Sequence, residues 1–345
     1  MLSKLISKAA AFAAALLLAM LAASLPAKAQ KPDRLSVAVI LSAGIENGWD
    51  GTFIKALERA KEAAPHGLNI SWKYTEPLWG DDAGDAMRLF AESGEYDIIW
   101  AHSTYSDQVK KLKEEFPEIL FVVVGSGNEG LGGNQYWVYK RVHEPAYVLG
   151  TLAGKMTKTG VVGAVGTYPA DDVNDEINAF FAGAKSVRPD LKHSVAFIES
   201  WYDPAKAAEY TKAQIATGAD FILQLANNFQ PCEEAKIYCF GNFSDQNSFA
   251  PKTVLSSTEA VWDPDLNWII NEWYAHKTEG KAYDGNKEKH WFPMAEGGSA
   301  VAPFHDLESA VPENVRAEVK AVEGKIMDGS LEVPLDVSEP KTTAK

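Results

Sequence analysis

The segment Leu35–Leu41 reads LSVAVIL and predicts a strand buried on both faces, because no polar residue alternates beyond its first positions. The segment Gly51–Ala64 that follows predicts a helix, since Phe53, Leu57 and Ala60 recur at steps of four and three residues. A buried strand followed by an amphipathic helix is the repeating unit of a parallel sheet that helices cover on both faces.

The alternation of strands and helices continues to about residue 145 and then begins again. Further predicted strands are Leu68–Tyr74, Tyr96–His102, Ile119–Gly125, Tyr136–Tyr139, Val161–Thr167, Val195–Glu199, Asp220–Leu225, Ile237–Phe240 and Val254–Ser257. Further predicted helices are Asp81–Ser93, Ser106–Phe116, Glu144–Lys158, Val173–Val187, Pro204–Thr217, Pro264–Glu279 and Pro312–Met327. This pattern predicts two doubly wound α/β lobes, with one ligand site in the cleft beyond the carboxyl ends of their strands.

The lobes are expected to exchange segments late in the chain. We assign residues 30–143 and about 258–300 to an N-terminal lobe, and residues 144–257 and about 301–334 to a C-terminal lobe. Residues 335–345 are polar and contain Pro340, so they predict a loose tail.

The first 29 residues have the order of a secretory signal peptide. Lys4 and Lys8 precede an apolar run over residues 9–25, and Ala27-Lys28-Ala29 resembles a cleavage site. An uncleaved anchor helix is the alternative, but the run is short for a membrane span. Since no cysteine lies near the cleavage site, we expect a periplasmic protein that is soluble and not lipid-anchored.

Composition excludes some classes of partner. Without residues 1–29, the chain has 30 basic and 47 acidic residues, and this net charge of −17 repels nucleic acid and anionic membranes. Cys232 and Cys239 lie seven residues apart, which in an oxidising compartment favours a disulfide over two reduced, buried thiols. The histidines are scattered and zinc-binding spacings are missing from the sequence, so neither a metal nor another cofactor is expected.

The sequence contains one misleading motif. Residues Gly125–Gly130 read GSGNEG, the spelling of a dinucleotide fingerprint, but a turn and a strand follow where that fingerprint needs a helix. A flexible glycine turn explains the segment better. We find no nucleophile elbow, P-loop or HExxH motif, so no catalytic residue is assigned and the chain is not expected to be an enzyme.

Aromatic and short polar residues follow the strands at the predicted cleft. The candidate ligand-binding residues are Trp49, Asp50, Ser103, Tyr105, Asn178, Trp201 and Asp245. A flat ring could lie between the two indoles while carboxylates and amides read its edge. Core packing is the alternative for Trp49 and Trp201, and a solvated helix face is the alternative for Asn178.

Several segments, in order, resemble the basic-membrane-protein group of ABC-transporter substrate-binding proteins. The matching segments are Asn47–Trp49, Tyr96–Ala101, Ala146–Gly160 (AYVLGTLAGKMTKTG), Ile177–Phe180, Ser200–Pro204, Gly218–Asp220, Ser244–Asp245 and Phe249–Pro251. The resemblance implies the fold of a type I periplasmic binding protein, with two Rossmann-like lobes around a cleft. It also implies a purine base or nucleoside as the small-molecule ligand and an inner-membrane ABC permease as the partner of a monomeric receptor.

The resemblance also implies roles for individual residues. Trp49 and Trp201 fall where family members place base-stacking aromatics, and Asp245 falls where a carboxylate contacts the ribose. Nucleoside-binding members carry a lysine soon after the strand that ends here at Ser257, but the segment Thr258–Trp262 has none. A free purine base such as adenine, or a different small ring, therefore stays open.

Three other functions are compatible with the same sequence. One is a receptor for a sugar or another small solute, another is an exported nucleoside hydrolase, and the third is a sensor that reports its ligand to a partner receptor. A hydrolase would need an activated nucleophile beside a base, and the sequence indicates none.

Overall fold

The computed structural model describes residues 31–344, so the predicted signal peptide lies outside the described residues. Eleven strands form two sheets within this range. They are β1 (Arg34–Ile40), β2 (Asn69–Tyr74), β3 (Ile98–Ala101), β4 (Leu120–Val124), β5 (Gln135–Val138), β6 (Val161–Gly166), β7 (Lys192–Phe197), β8 (Phe221–Gln224), β9 (Tyr238–Gly241), β10 (Val254–Ala260) and β11 (Ser299–Val301).

The two sheets repeat one topology. The first has the order β2-β1-β3-β4-β5 with every pair parallel, and Val37 of β1 lies opposite Ile98 of β3. The second has the order β7-β6-β8-β9-β10-β11, which is the same winding with an antiparallel edge strand added. In each sheet the winding direction reverses beside the first strand, which is the arrangement of doubly wound folds. The prediction of two doubly wound α/β lobes is confirmed.

Helices cover both sheets. They are α1 (Gly48–Ala63), α2 (Gly80–Ser93), α3 (Ser106–Glu115), α4 (His143–Met156), α5 (Asp171–Val187), α6 (Pro204–Ala216), α7 (Gln230–Ala235), α8 (Asp263–Glu279) and α9 (Glu313–Met327). Helix α1 begins at Gly48, earlier than the apolar period predicts, because the Asn47 side chain accepts a hydrogen bond from the backbone N–H of Trp49 at 2.8 Å. This cap places Trp49 in the first helical turn.

The chain passes three times between the lobes. It leaves the first sheet after β5, returns from β10 to α8, and crosses again to β11. Helix α8 packs on the first lobe, where Ile269, Ile270 and Trp273 join its core. The buried ammonium of Lys140, in the first crossing, donates to the carbonyls of Val261 at 2.7 Å and Gly298 at 3.3 Å, which lie in the other two.

Lys140 also pairs with the carboxylate of Asp265, and both side chains are fully buried. Burial lowers the pKa of Lys140, whereas burial raises the pKa of Asp265 to about 6. The ionised form of each side chain is therefore stabilised by the other, and the pair holds the crossings next to one another.

Helices α4 and α5 touch through glycines. A Cβ atom on Gly150 would lie 1.9 Å from the carbonyl oxygen of Phe180, and one on Gly183 would lie 2.1 Å from that of Tyr147. Only glycine permits this approach, so the helices form one rigid layer that fixes where α5 begins.

The C-terminal segment, expected to be loose, lies against the second lobe. The Asn174 side chain of α5 donates to the carbonyl of Val337 at 3.1 Å, and the backbone N–H of Thr343 donates to the carbonyl of His193 in β7 at 2.8 Å. The segment thereby covers the edge of the sheet at β7, where unpaired backbone groups would otherwise remain.

A disulfide joins Cys232 of α7 to Cys239 of β9, with 6.3 Å between the two Cα atoms. Both residues are fully buried in the second lobe. Within residues 31–344, no helix is both long and apolar enough to cross a membrane.

Candidate binding cleft

A pocket of about 860 Å³, counting the solvent at its mouth, lies between the carboxyl ends of the two sheets. The first lobe contributes Ser42, Ala43, Asn47, Gly48, Trp49, Trp79, Ser103, Thr104, Val124, Gly125 and Ser126. The second lobe contributes Thr167, Asp172, Val173, Trp201, Leu225, Asn227, Asn242 and Phe243. Both lobes therefore build the wall from the loops that follow their strands.

The indole of Trp49 is held firmly in the first-lobe wall. Its Nε1 donates to the carbonyl of His102 at 2.9 Å, and the ring packs against Trp262 edge to face with 5.1 Å between centroids. Gly125 lies under the same indole, because a Cβ there would be 3.5 Å from Cζ2. Trp49 is half-buried, so one part of its surface remains for the cleft.

His102 is buried and neutral, and it holds Trp49 in place through hydrogen bonds. The indole N–H of Trp100 donates to His102 Nδ1 at 2.9 Å, so the ring proton resides on Nε2, which donates to the carbonyl of Trp49 at 3.2 Å. Burial lowers the pKa of His102 to about 3. The histidine is thus a hydrogen-bonded part of the core rather than a ligand contact.

Trp201 lies on the opposite wall with much less support. Half of its surface is exposed, and its ring contacts Tyr168 edge to face at 4.9 Å between centroids. It follows β7 in a bend in which Ser200 Oγ accepts a hydrogen bond from the N–H of Tyr202 at 3.2 Å. The indole of Trp79, which is 46% exposed, adds a third aromatic edge and donates to the carbonyl of Ser42 at 3.0 Å.

Two contacts cross the cleft. The ring of Phe243 from the second lobe meets Trp49 edge to face at 5.2 Å, and Ser126 Oγ of the first lobe donates to Asp172 Oδ1 at 3.3 Å. The lobes therefore already touch at two points of the pocket wall.

The wall carries little charge. Among the lining residues within 31–344, Asp172 alone has an ionisable side chain. Burial, followed by the neighbouring charge of Asp171, raises the pKa of Asp172 to about 6. The other polar groups are amides and hydroxyls, including the side chains of Asn227 and Asn242.

Three of the seven candidate residues, Trp49, Ser103 and Trp201, line this pocket. Asp50 does not, because its buried carboxylate points back into the turn before α1. It accepts hydrogen bonds from the N–H groups of Ser42, Ala43 and Gly44 at 3.1, 2.6 and 2.8 Å. Desolvation raises the pKa of Asp50 to about 6 despite these donors. Asp50 shapes the wall through Ser42 and Ala43.

Tyr105, Asn178 and Asp245 also lie away from the pocket wall. The hydroxyl of buried Tyr105 donates to the carbonyl of Leu78 at 2.6 Å. Asn178 uses its amide to bind the C-terminal segment, donating to the carbonyls of residues 336 and 338 at 2.9 and 2.8 Å. Asp245 Oδ2 lies 2.6 Å from His305 Nε2 in an exposed hydrogen-bonded pair. Each side chain has a partner inside its own lobe.

The wall also contains residues outside the seven candidates. Asn242 and Phe243 directly follow β9, Asn227 follows β8, and Asp172 lies in the first turn of α5 after β6. Their positions at the ends of strands are the feature by which the sequence could have identified them. Nowhere in the described part of the chain do three or more His, Cys, Asp or Glu residues form a group that could hold a metal ion.

Comparison with known proteins points to one family. The family described as ABC transporter substrate-binding protein, PnrA-like, matches residues 35–334. The purine-binding protein BAB2_0673 of Brucella abortus is 31% identical over 257 residues, 73% of this chain and 69% of that protein. A relative named as an ABC transporter glucose-binding protein, TsgA13 of Haloferax volcanii, is 26% identical over 293 residues, 83% of this chain and 70% of that protein.

The fold has solved counterparts. An ABC transporter solute-binding protein from Conexibacter woesei superposes with a TM-score of 0.68 at 18% identity, covering 87% of this chain and 98% of that one. This likeness confirms the type I periplasmic binding protein fold.

Proposed function

The chain belongs to the family of PnrA-like ABC transporter substrate-binding proteins, and on that premise we propose that it captures a purine base or nucleoside between its lobes. The observation that carries the proposal is a pocket with an indole from each lobe, Trp49 and Trp201, on its wall. Flat aromatic rings bind such indoles through their faces, and base–aromatic stacking contributes about 1–3 kcal/mol per base.

The remaining lining supports a ligand with a polar edge. Ser103, Asn227, Asn242 and Asp172 offer hydroxyl, amide and carboxylate groups around an otherwise aromatic pocket. A few polar groups in an apolar pocket fix the orientation of a small ligand and confer specificity.

Ligand binding is proposed to favour closure of the lobes about the three crossings near Lys140. The closed receptor then presents its ligand to an inner-membrane ABC permease and catalyses no reaction. We further propose that the receptor is monomeric and acts in the periplasm without a lipid anchor, after cleavage of residues 1–29.

A sugar receptor is the second candidate, because one relative is named as glucose-binding and because aromatic faces also pack against sugar rings. The two candidates differ in the ligand that stabilises the native state. A ligand at 100 times its Kd raises the free energy of unfolding by about 2.7 kcal/mol.

The test is a thermal-shift panel on the purified chain from residue 30, using adenine, adenosine, glucose and ribose. A rise in Tm with adenine or adenosine, followed by a calorimetric Kd, supports the purine proposal. A rise with glucose or ribose alone refutes it in favour of the sugar receptor. Adenosine that is recovered unchanged after long incubation excludes the hydrolase, whereas release of adenine and ribose establishes it.

A further inference from the structure

The charge on the cleft wall restricts the class of ligand. Asp172 has the only ionisable side chain among the described lining residues, and it lies in the second-lobe wall at the first turn of α5. No Lys, Arg or His of residues 31–344 lines the pocket with it. A buried anion therefore has no cation to pair with there, and it would meet a carboxylate instead.

Asp172 is placed rigidly yet retains bonding capacity. The contact of α4 with α5 through Gly150 and Gly183 fixes the helix that carries it. The hydrogen bond from Ser126 is long, at 3.3 Å, and uses Oδ1. A carboxylate has about four acceptor sites, so this bond leaves room for donors from a ligand.

We propose that Asp172 is the specificity-determining residue of the cleft, selecting neutral or cationic rings that present N–H donors and rejecting phosphorylated nucleosides and other anions. This inference rests on the proposed function and names the ligand class of the same pocket. An ionised carboxylate only accepts hydrogen bonds, so an amino group or a ring N–H is its natural partner.

The Asn227 amide on the wall complements the carboxylate. Its Oδ1 accepts from Gln246 Nε2 at 2.8 Å, so its NH₂ group remains for an acceptor on the ligand. The Asn242 amide also lines the wall, with its Oδ1 3.2 Å from Thr258 Oγ, whose proton goes to Glu176 Oε1 at 2.9 Å. A ring with acceptor nitrogens and an N–H edge, such as an aminopurine, matches this set.

The acid–base surroundings of Asp172 predict how affinity varies with pH. The negative charge of Asp171 raises the pKa of Asp172, and Arg141 from the first crossing lowers it. The charge of Asp172 in turn raises the pKa of Glu176 on the same helix and of Tyr139. Asp171 itself pairs with Lys289, and buried Glu176 has a pKa raised well above its ordinary value. Because the pKa of Asp172 is about 6, its carboxylate is lost as pH falls through 6.

The experiment compares the wild type with Asp172→Asn by calorimetry, using adenine, adenosine and adenosine 5′-monophosphate at pH 7.5 and pH 5. Asp190→Asn is the matched control, because it also removes one negative charge from the second lobe but is 85% exposed there and does not line the pocket. Tm values without ligand show whether each variant is folded.

At pH 7.5 we expect the wild type to bind adenine or adenosine, and to bind the monophosphate about 100-fold more weakly than adenosine or not at all. Asp172→Asn should weaken binding of the better probe by about ten-fold or more, the effect of losing a charged hydrogen-bond acceptor, and should narrow the gap to the monophosphate. Lowering the pH to 5 should weaken wild-type binding by about ten-fold per unit below 6 and should scarcely affect Asp172→Asn.

Equal affinity of Asp172→Asn and wild type for the better probe overturns the inference and leaves the proposed function standing. Equal affinity of the wild type for adenosine and adenosine 5′-monophosphate likewise overturns the inference and leaves the proposed function standing. If Asp172→Asn does not fold, the monophosphate comparison and the pH profile of the wild type decide in its place. Failure of the wild type to bind any of the three probes refutes the proposed function, and the inference falls with it.

Discussion

The two indoles on the cleft wall differ in how they are held. Trp49 is half-buried, donates to the carbonyl of His102 and packs against aromatic neighbours that include Trp262 and Phe243. Trp201 is 50% exposed, lies in a bend, and contacts the ring of Tyr168 alone among the aromatic residues described. The first lobe thus offers a preformed platform, whereas the second lobe contributes a ring that a ligand must order.

The two walls also differ in which residues adopt left-handed backbone conformations. In the first lobe, the left-handed positions near the pocket are glycines, with φ of 81° at Gly125 and 76° at Gly127. In the second lobe, Glu199, Asn227 and Phe243 adopt φ of 54°, 55° and 62°. A left-handed residue other than Gly, Asn or Asp costs about 1–2 kcal/mol, so the second wall retains strain at Glu199 and Phe243 that the first avoids.

Truncating the platform should have the largest effect. Trp49→Ala removes a ring that both lobes contact, and we expect a loss of about 3 kcal/mol in the free energy of unfolding. Affinity for the purine ligand should fall by about 100-fold or more, since a stacking surface and its support are both lost. Chemical denaturation and calorimetry measure the two effects.

Trp49→Phe is the matched control, because it retains an aromatic face but removes the hydrogen bond to His102. It should lose less than half of the stability that Trp49→Ala loses. If Trp49→Ala unfolds with wild-type free energy, the idea of a preformed platform is wrong.

Truncating the opposite ring should affect binding alone. For Trp201→Ala we expect affinity to fall by about 5- to 150-fold, the equivalent of one stacked base, with stability changed by less than about 0.5 kcal/mol. Calorimetry and denaturation again separate the effects. A loss of stability as large as that of Trp49→Ala would show that the two indoles are equivalent.

The sequence predicts the backbone of the two lobes but not the direction of the polar side chains. Strand–helix alternation predicted both lobes, since hydrophobic period is a local property, and position after a strand was enough to bring Trp49, Ser103 and Trp201 to the cleft. The direction of a polar side chain depends on its partners. Asn178 binds the C-terminal segment and Tyr105 binds the carbonyl of Leu78, and neither partner is close in sequence.

Relieving backbone strain in the second wall should stabilise the protein slightly. Glu199 is exposed, has φ of 54° and precedes the bend that carries Trp201. Glu199→Gly should raise the free energy of unfolding by about 0.5–1 kcal/mol, after the entropy that glycine adds to the unfolded chain is subtracted.

The matched control is Glu209→Gly, the same exchange at an exposed position inside helix α6, which should cost about 1 kcal/mol. Opposite signs in urea denaturation support strain at Glu199. Equal losses of unfolding free energy at both positions would show that Glu199 is not strained, and that the two walls do not differ in backbone strain there.

The smallest effect is expected at Asp245, which the family resemblance links to ribose and the structure pairs with His305. The pair is exposed, so Asp245→Asn should change stability by less than about 1 kcal/mol. Because Asp245 does not line the pocket, affinity for adenine and adenosine should remain unchanged by calorimetry. A selective loss of adenosine affinity would instead mean that the second wall moves far enough on binding to bring Asp245 to a sugar. That result would extend the difference between the lobes, because the less firmly held wall would then supply the ribose contact.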